Sequence, residues 1–208
     1  MSEANFDLDS ADKRRTLWIV LWLNVGIAAG FFVTGYLGDS SALIANGVDN
    51  TSDAMVYGLS LLALTRTRIW KRNAARFSGI MLLLFAGGVV LDVIRRFIEG
   101  SEPVGSTMMA MAIVAAVVNL LSLYLLKRLE NKDVNLRAAT TFSLNDFAAN
   151  GGIIISGIVV LWTGSNWPDL LVGLAVAAIA VYGGVDILQD ANQDGRESRE
   201  KVAREGEE

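Results

Sequence analysis

Apolar residues dominate the chain in six long runs, separated by short polar segments. Each run is about as long as the roughly 20 apolar residues that a helix needs to cross a bilayer. Residues 108–126 are predominantly apolar around the whole circumference of a helix, whereas a surface helix of a soluble protein has a polar face. The pattern predicts six transmembrane helices, over residues 17–38, 41–65, 77–99, 105–127, 138–162 and 168–189.

Composition favours the same fold class, an all-α, six-helix transmembrane bundle. The chain is 52% hydrophobic and only 19% charged, whereas a soluble domain is about 25% charged. The predicted organisation has three parts: a cytoplasmic tail over residues 1–16, a transport domain over 17–189, and a charged cytoplasmic tail over 190–208. We expect an integral protein of the bacterial inner membrane, with the lipid bilayer as its surroundings and no nucleic-acid partner.

Lys and Arg are distributed asymmetrically among the polar segments. Sixteen of the 18 precede the first run, follow the last, or join the second to the third and the fourth to the fifth. Cytoplasmic loops carry the excess of cations, so both termini are predicted to be cytoplasmic. The two exceptions, Arg95 and Arg96, lie three or four residues from Asp92 and Glu99, which can partly neutralise them.

Two aspartates stand in the first half of the second predicted helix. Asp49 and Asp53 are four residues apart, which puts both side chains on one helical face. Asn46 and Asn50 extend the same polar stripe. A charge at bilayer depth costs about 2.5–3.5 kcal/mol even on the lenient insertion scale, so such residues usually face a cavity, a partner or an ion.

The fifth predicted helix repeats the pattern at a similar depth. Asp146 follows Asn145 and precedes Asn150 by one turn. No Lys or Arg lies between the ends of either helix, so salt bridges within these helices are excluded. One interpretation is that the aspartates are neutral and bonded to each other or to carbonyl groups. The alternative is an oxygen-rich cation site between the two helices, where a bound M²⁺ would offset the cost of buried charge.

Other acidic residues have structural explanations. Asp92 has Arg95 and Arg96 as neighbours, and Asp186 lies at the cytoplasmic end of the sixth run. Asp39 precedes the second run, where N-capping or the helix dipole would stabilise it.

Several motifs resemble the cation diffusion facilitator, or cation efflux, family. Residues 40–53 are similar to the small-residue entry and the [HD]-x-x-x-D motif of its second helix. Residues 135–139, leading to Asp146 and Asn150, are similar to its fifth helix. Residues 95–104 are similar to its junction of helices 3 and 4, and residues 167–174 are similar to the start of its sixth helix. The resemblance covers residues 17–190 and ends before the family's soluble C-terminal domain, so we expect a shortened member.

The resemblance implies a tetrahedral metal site formed by two residues of helix 2 and two of helix 5. By position these are Asp49, Asp53, residue 142 and Asp146, but residue 142 is Phe where many relatives have His. By helical phase, Asn150 is the first substitute for the fourth ligand. Asn145 is the second substitute, and water is a further alternative. Asn46 is also a candidate, since it lies where many relatives carry an acid.

The family implies metal export from the cytoplasm by alternating access, coupled to proton antiport, in a protein that is commonly a homodimer. It implies a transported ion and no resident cofactor. Zinc is the expected ion, yet oxygen-only ligands leave Mn²⁺, Fe²⁺, Co²⁺ and Cd²⁺ open. Proton coupling would have to use aspartates, because the chain has no histidine.

Three other functions remain in competition. A proton-coupled exporter of organic cations would also place acids at mid-membrane, although it usually has an aromatic-lined pocket. An intramembrane metal-dependent hydrolase needs ligands and a general base that a chain without histidine or cysteine lacks, so we expect no enzyme. A non-transporting membrane scaffold or sensor is the third alternative.

Overall fold

The computed structural model describes residues 11–63, 67–127 and 135–205, and six α-helices account for nearly all of this part of the chain. Each helix corresponds to one predicted run, which confirms the all-α bundle. In chain order the helices are α1 Ala11–Leu37, α2 Ser41–Ala63, α3 Arg68–Glu99, α4 Gly105–Lys127, α5 Asn135–Thr163 and α6 Trp167–Glu205.

Four of the described helices, α1, α3, α4 and α6, are long and apolar enough to cross a membrane by themselves. In α5 the apolar stretch among the residues whose side chains the structure describes is Ala148–Thr163. The two helices outside this set, α2 and α5, are those that carry the aspartates and asparagines. Helix α6 has 39 residues and is therefore about 58 Å long, well beyond the ~30 Å hydrocarbon core, so its charged end projects past the membrane.

Helix α2 is shared between two hydrophobic clusters. Its residues Ala45 and Val48 pack with α3 and α6, while Ala42 and Leu43 pack with α1, α4 and α5. Helices α3 and α6 form the most extensive pair in the described bundle, followed by α1 with α2 and α4 with α5, whereas α2 and α5 touch only slightly.

Glycines allow two of these helix pairs to approach closely. A Cβ on Gly157 of α5 would lie 2.8 Å from the carbonyl oxygen of Gly105 in α4, and a Cβ on Gly184 of α6 would lie 3.2 Å from the carbonyl oxygen of Gly79 in α3. Small residues at such contacts let helix backbones pack tightly in lipid.

A polar network ties α3 to the start of α2. The Asp92 carboxylate accepts hydrogen bonds from Arg95 Nη2 at 2.8 Å, Arg96 Nε at 2.7 Å and Ser41 Oγ at 2.8 Å. The pairing of Asp92 with both arginines is therefore confirmed. The Arg96 side chain is almost fully buried, so without this pairing its charged guanidinium would be desolvated and have no counter-charge.

The N-terminus of α2 is capped differently from the prediction. Asp39 does not cap it: this residue has φ 50°, and its carboxylate accepts from Arg96 Nη1 and the Glu102 backbone N–H. The cap comes instead from Ser40, whose Oγ accepts from the Leu43 N–H, and from Asp169 of α6. Asp169 is fully buried and accepts from Ser40 Oγ and from the N–H groups of Ser41, at 2.8 Å, and Ala42, at 3.2 Å.

Candidate metal centre

Three predicted ligands, Asp49 and Asp53 of α2 and Asp146 of α5, are close enough to interact electrostatically. All three are half-buried. The Asp53 carboxylate is subject to repulsion from Asp49 and Asp146, and Asp146 is subject to repulsion from Asp49. Like charges in a partly desolvated region repel strongly, and a cation between them would cancel that repulsion.

No described Lys or Arg forms an ion pair with these three carboxylates, because the ion pairs of the described chain involve Asp39 and Asp92. Among the described residues there is also no group of three or more acidic side chains close enough to hold a metal ion together. The structure thus brings the aspartates near each other without forming a complete ligand set. The shared metal site stays a prediction.

The amide residues make the direct polar contact between the two helices. Asn46 Nδ2 donates to Asn150 Oδ1 at 3.1 Å, and both side chains are nearly fully buried. The oxygen of Asn150, the first predicted substitute for the fourth ligand, therefore already accepts a hydrogen bond from α2.

Asn50 belongs to the polar stripe but was not among the predicted ligands. Its Nδ2 donates to the Asn46 carbonyl oxygen, one turn earlier in α2, at 2.9 Å. Its Oδ1 is buried and has no hydrogen-bond partner, and the side chain is only 2% exposed. Buried polar atoms without a partner are rare and need an explanation.

Tyr57 is a further residue that the sequence analysis missed. It stands one turn beyond Asp53 on α2 and interacts electrostatically with Asp53 and Asp146. The i+4 spacing that links Asp49 to Asp53 also extends to Tyr57, so the signal was present. The side chains of two other predicted residues, Phe142 and Asn145, lie outside the described residues.

Comparison with known proteins identifies the family of the chain. The family model described as the cation efflux transmembrane domain matches residues 17–194. This match begins within α1 and ends before the last turns of α6, so it includes both helices that carry the candidate ligands.

Curated relatives agree with this match. The zinc transporter ZitB of Escherichia coli is 30% identical over 183 residues, which cover 80% of this chain and 58% of that protein. The cadmium, cobalt and zinc/H(+)-K(+) antiporter of Bacillus subtilis is 25% identical over 76% of the chain and 56% of its own length. The metal cation efflux system protein CzcD of Cupriavidus metallidurans is 24% identical over 85% and 57%. The chain thus spans just over half the length of these relatives.

Proposed function

The chain belongs to the cation efflux family, and from this premise we propose that it transports a divalent transition-metal ion across the membrane. It is an integral membrane protein, and its bacterial relatives indicate the inner membrane. The family consists of transporters rather than enzymes.

The observation that carries the proposal is the group of three carboxylates without a cationic partner. Asp49, Asp53 and Asp146 repel one another in a half-buried region, on the two helices that also carry the buried Asn46 and Asn150. A transported M²⁺ bound between them would offset this repulsion while it is present. Its release would restore the repulsion, which protons could then relieve.

The relatives' names supply the candidate ions. They mention zinc, cadmium and cobalt, and we propose zinc or an ion of this group for the present chain. A site made of carboxylate and amide oxygens lacks the nitrogen and sulfur donors that zinc favours, so Mn²⁺, Fe²⁺ and Co²⁺ belong in the same test.

The proposed mechanism is export by alternating access in exchange for protons. The name of the Bacillus subtilis relative includes proton antiport, and the aspartates are the groups that could bind protons after the metal leaves. The export direction assumes that both termini are cytoplasmic. The homodimer expected from the family is part of the same proposal.

Flux measurements in proteoliposomes test the shared site. Asp49→Ala, Asp53→Ala and Asp146→Ala should each abolish Zn²⁺ or Mn²⁺ uptake, because the remaining two carboxylates bind a divalent ion far more weakly. A suitable control is Asp186→Ala, which removes an exposed carboxylate from α6 and should leave flux unchanged. Transport at the wild-type rate by Asp146→Ala would contradict a site shared between α2 and α5.

A further inference from the structure

The carboxamide of Asn50 is held in one orientation. Its Nδ2 faces the Asn46 backbone carbonyl, a group that can only accept, so the nitrogen and not the oxygen must occupy that position. The Oδ1 atom consequently points away from the α2 backbone. It is a buried acceptor with no donor in the described part of the chain.

The chain directions of α2 and α5 follow from the contact between Asp169 and Ser41. This contact joins the first turn of α6 to the first turn of α2. Since α5 ends at Thr163, just before α6 begins, the end of α5 lies near the start of α2. The two helices are therefore antiparallel.

The hydrogen bond between Asn46 and Asn150 shows that these two residues lie at the same height along the axes of the antiparallel helices. One helical turn along α2, about 6 Å, leads to Asn50, and one turn back along α5 leads to Asp146. Both steps run in the same direction, so Asn50 and Asp146 lie at the same level. A step of four residues changes the helical face by only about 40°, so both keep the faces that meet at the bond between Asn46 and Asn150.

We infer that Asn50 Oδ1 is the fourth oxygen ligand of the metal site, together with Asp49, Asp53 and Asp146 and in place of Asn150. This inference rests on the proposed transport of a divalent metal ion. Asn50 has a free, oriented oxygen at the level of Asp146, whereas the Asn150 oxygen lies one turn away and accepts from Asn46.

An amide oxygen suits this position chemically. It is a ligand that hard and borderline divalent cations accept. Being neutral, it adds a fourth donor without adding a fourth negative charge to three carboxylates that already repel one another. The hydrogen bond to Asn46 fixes the oxygen before an ion arrives, so little side-chain freedom is lost on binding.

The absence of cysteine from the sequence permits a direct test. Asn50→Cys and Asn150→Cys each introduce a single thiol, and a thiolate favours Cd²⁺ over the harder Mn²⁺. Each full-length variant is purified in detergent under reducing conditions and titrated with Cd²⁺ and Mn²⁺ separately. The ultraviolet charge-transfer absorption of a cadmium–thiolate bond reports whether the new sulfur touches the ion.

For Asn50→Cys we expect cadmium–thiolate absorption that saturates at one ion per chain. The affinity ratio of Cd²⁺ to Mn²⁺ should rise by about tenfold or more over wild type. Asn150→Cys, the matched control, should bind Cd²⁺ without this absorption. Absorption in Asn150→Cys, or its absence from an Asn50→Cys variant that binds Cd²⁺, overturns the assignment.

A second pair of variants covers the case in which Asn50→Cys does not fold. Asn50→Leu keeps the branching and the number of side-chain heavy atoms but removes the oxygen. It should weaken Mn²⁺ binding by about tenfold or more, and Asn50→Asp should restore it. Equal Mn²⁺ affinity in the two variants rejects Asn50 as a ligand. A wild-type protein that binds none of Zn²⁺, Mn²⁺ and Cd²⁺ would reject the proposed function itself, which is a distinguishable result.

Discussion

Removal of the Asp169 carboxylate should destabilise the bundle more than removal of any exposed carboxylate. Asp169→Ala leaves the N–H groups of Ser41 and Ala42 without their acceptor at a buried helix end. A buried donor that loses its partner costs about 1–3 kcal/mol. Ser40 retains its own bond to the Leu43 N–H, so part of the cap survives.

Two such donors lose their acceptor, but water that enters the space left by the carboxylate would recover part of the cost. We therefore expect the free energy of unfolding to fall by about 2–4 kcal/mol. For a chain of this size, each kcal/mol corresponds to roughly 2–4 °C in the midpoint of thermal unfolding. A loss of about 3 kcal/mol therefore predicts a midpoint roughly 6–12 °C lower. Asp169→Asn keeps one amide oxygen as an acceptor, so its effect should be about half as large.

Thermal unfolding in detergent, followed by circular dichroism at 222 nm, measures the effect against a matched control. Asp186→Ala removes an exposed carboxylate from the same helix and should change stability by no more than about 0.5 kcal/mol. If the midpoints of Asp169→Ala and Asp186→Ala agree within error, the contact with the start of α2 does not stabilise the fold, and the reasoning is refuted.

Two further predictions concern orientation and residue 142. With both termini cytoplasmic, Lys71→Cys should resist impermeant thiol reagents in intact cells and Glu102→Cys should react. Both residues are exposed; Lys71 lies in the first turn of α3, and Glu102 lies just after the other end of this helix. The reverse labelling would invert the topology and the export direction. Phe142→His should raise Zn²⁺ affinity relative to Mn²⁺ at pH 7.5 by supplying a nitrogen donor, and this gain should shrink below about pH 6.5 as the imidazole protonates. An unchanged Zn²⁺/Mn²⁺ ratio in the folded His variant, measured by calorimetry, would mean that residue 142 does not face the ion.

The number and order of the helices were predictable because hydrocarbon depth requires a continuous apolar run. The apolar runs did not predict where the helices end on the predicted cytoplasmic side. Helix α3 begins at Arg68 rather than at residue 77, and α6 continues to Glu205 rather than ending at residue 189. Such charged helical extensions lie in water, where hydropathy carries no information about where a helix begins or ends.

Contacts between distant parts of the chain explain what the sequence could not show about the cap of α2. Its acceptor, Asp169, lies 127–129 residues beyond the groups that it binds. Asp39 lies two residues before the helix, which made it a local candidate, but Arg96 and the Glu102 N–H occupy its carboxylate. Local capping rules identify which residue types can cap a helix and cannot identify a cap supplied by another helix.

The same limit applies to the choice of the fourth ligand. The i,i+4 spacing in α2 and α5 was enough to place amides and aspartates on common faces, because that spacing depends on the helix alone. Which amide oxygen is free depends on pairing across the two helices: Asn46 donates to the Asn150 oxygen and accepts, at its backbone carbonyl, from Asn50. Each bond uses a donor of one asparagine, and together they leave Asn50 Oδ1 as the buried acceptor without a partner. Asn46, one of the alternative ligands in the sequence, therefore serves in the structure to engage Asn150 and orient Asn50.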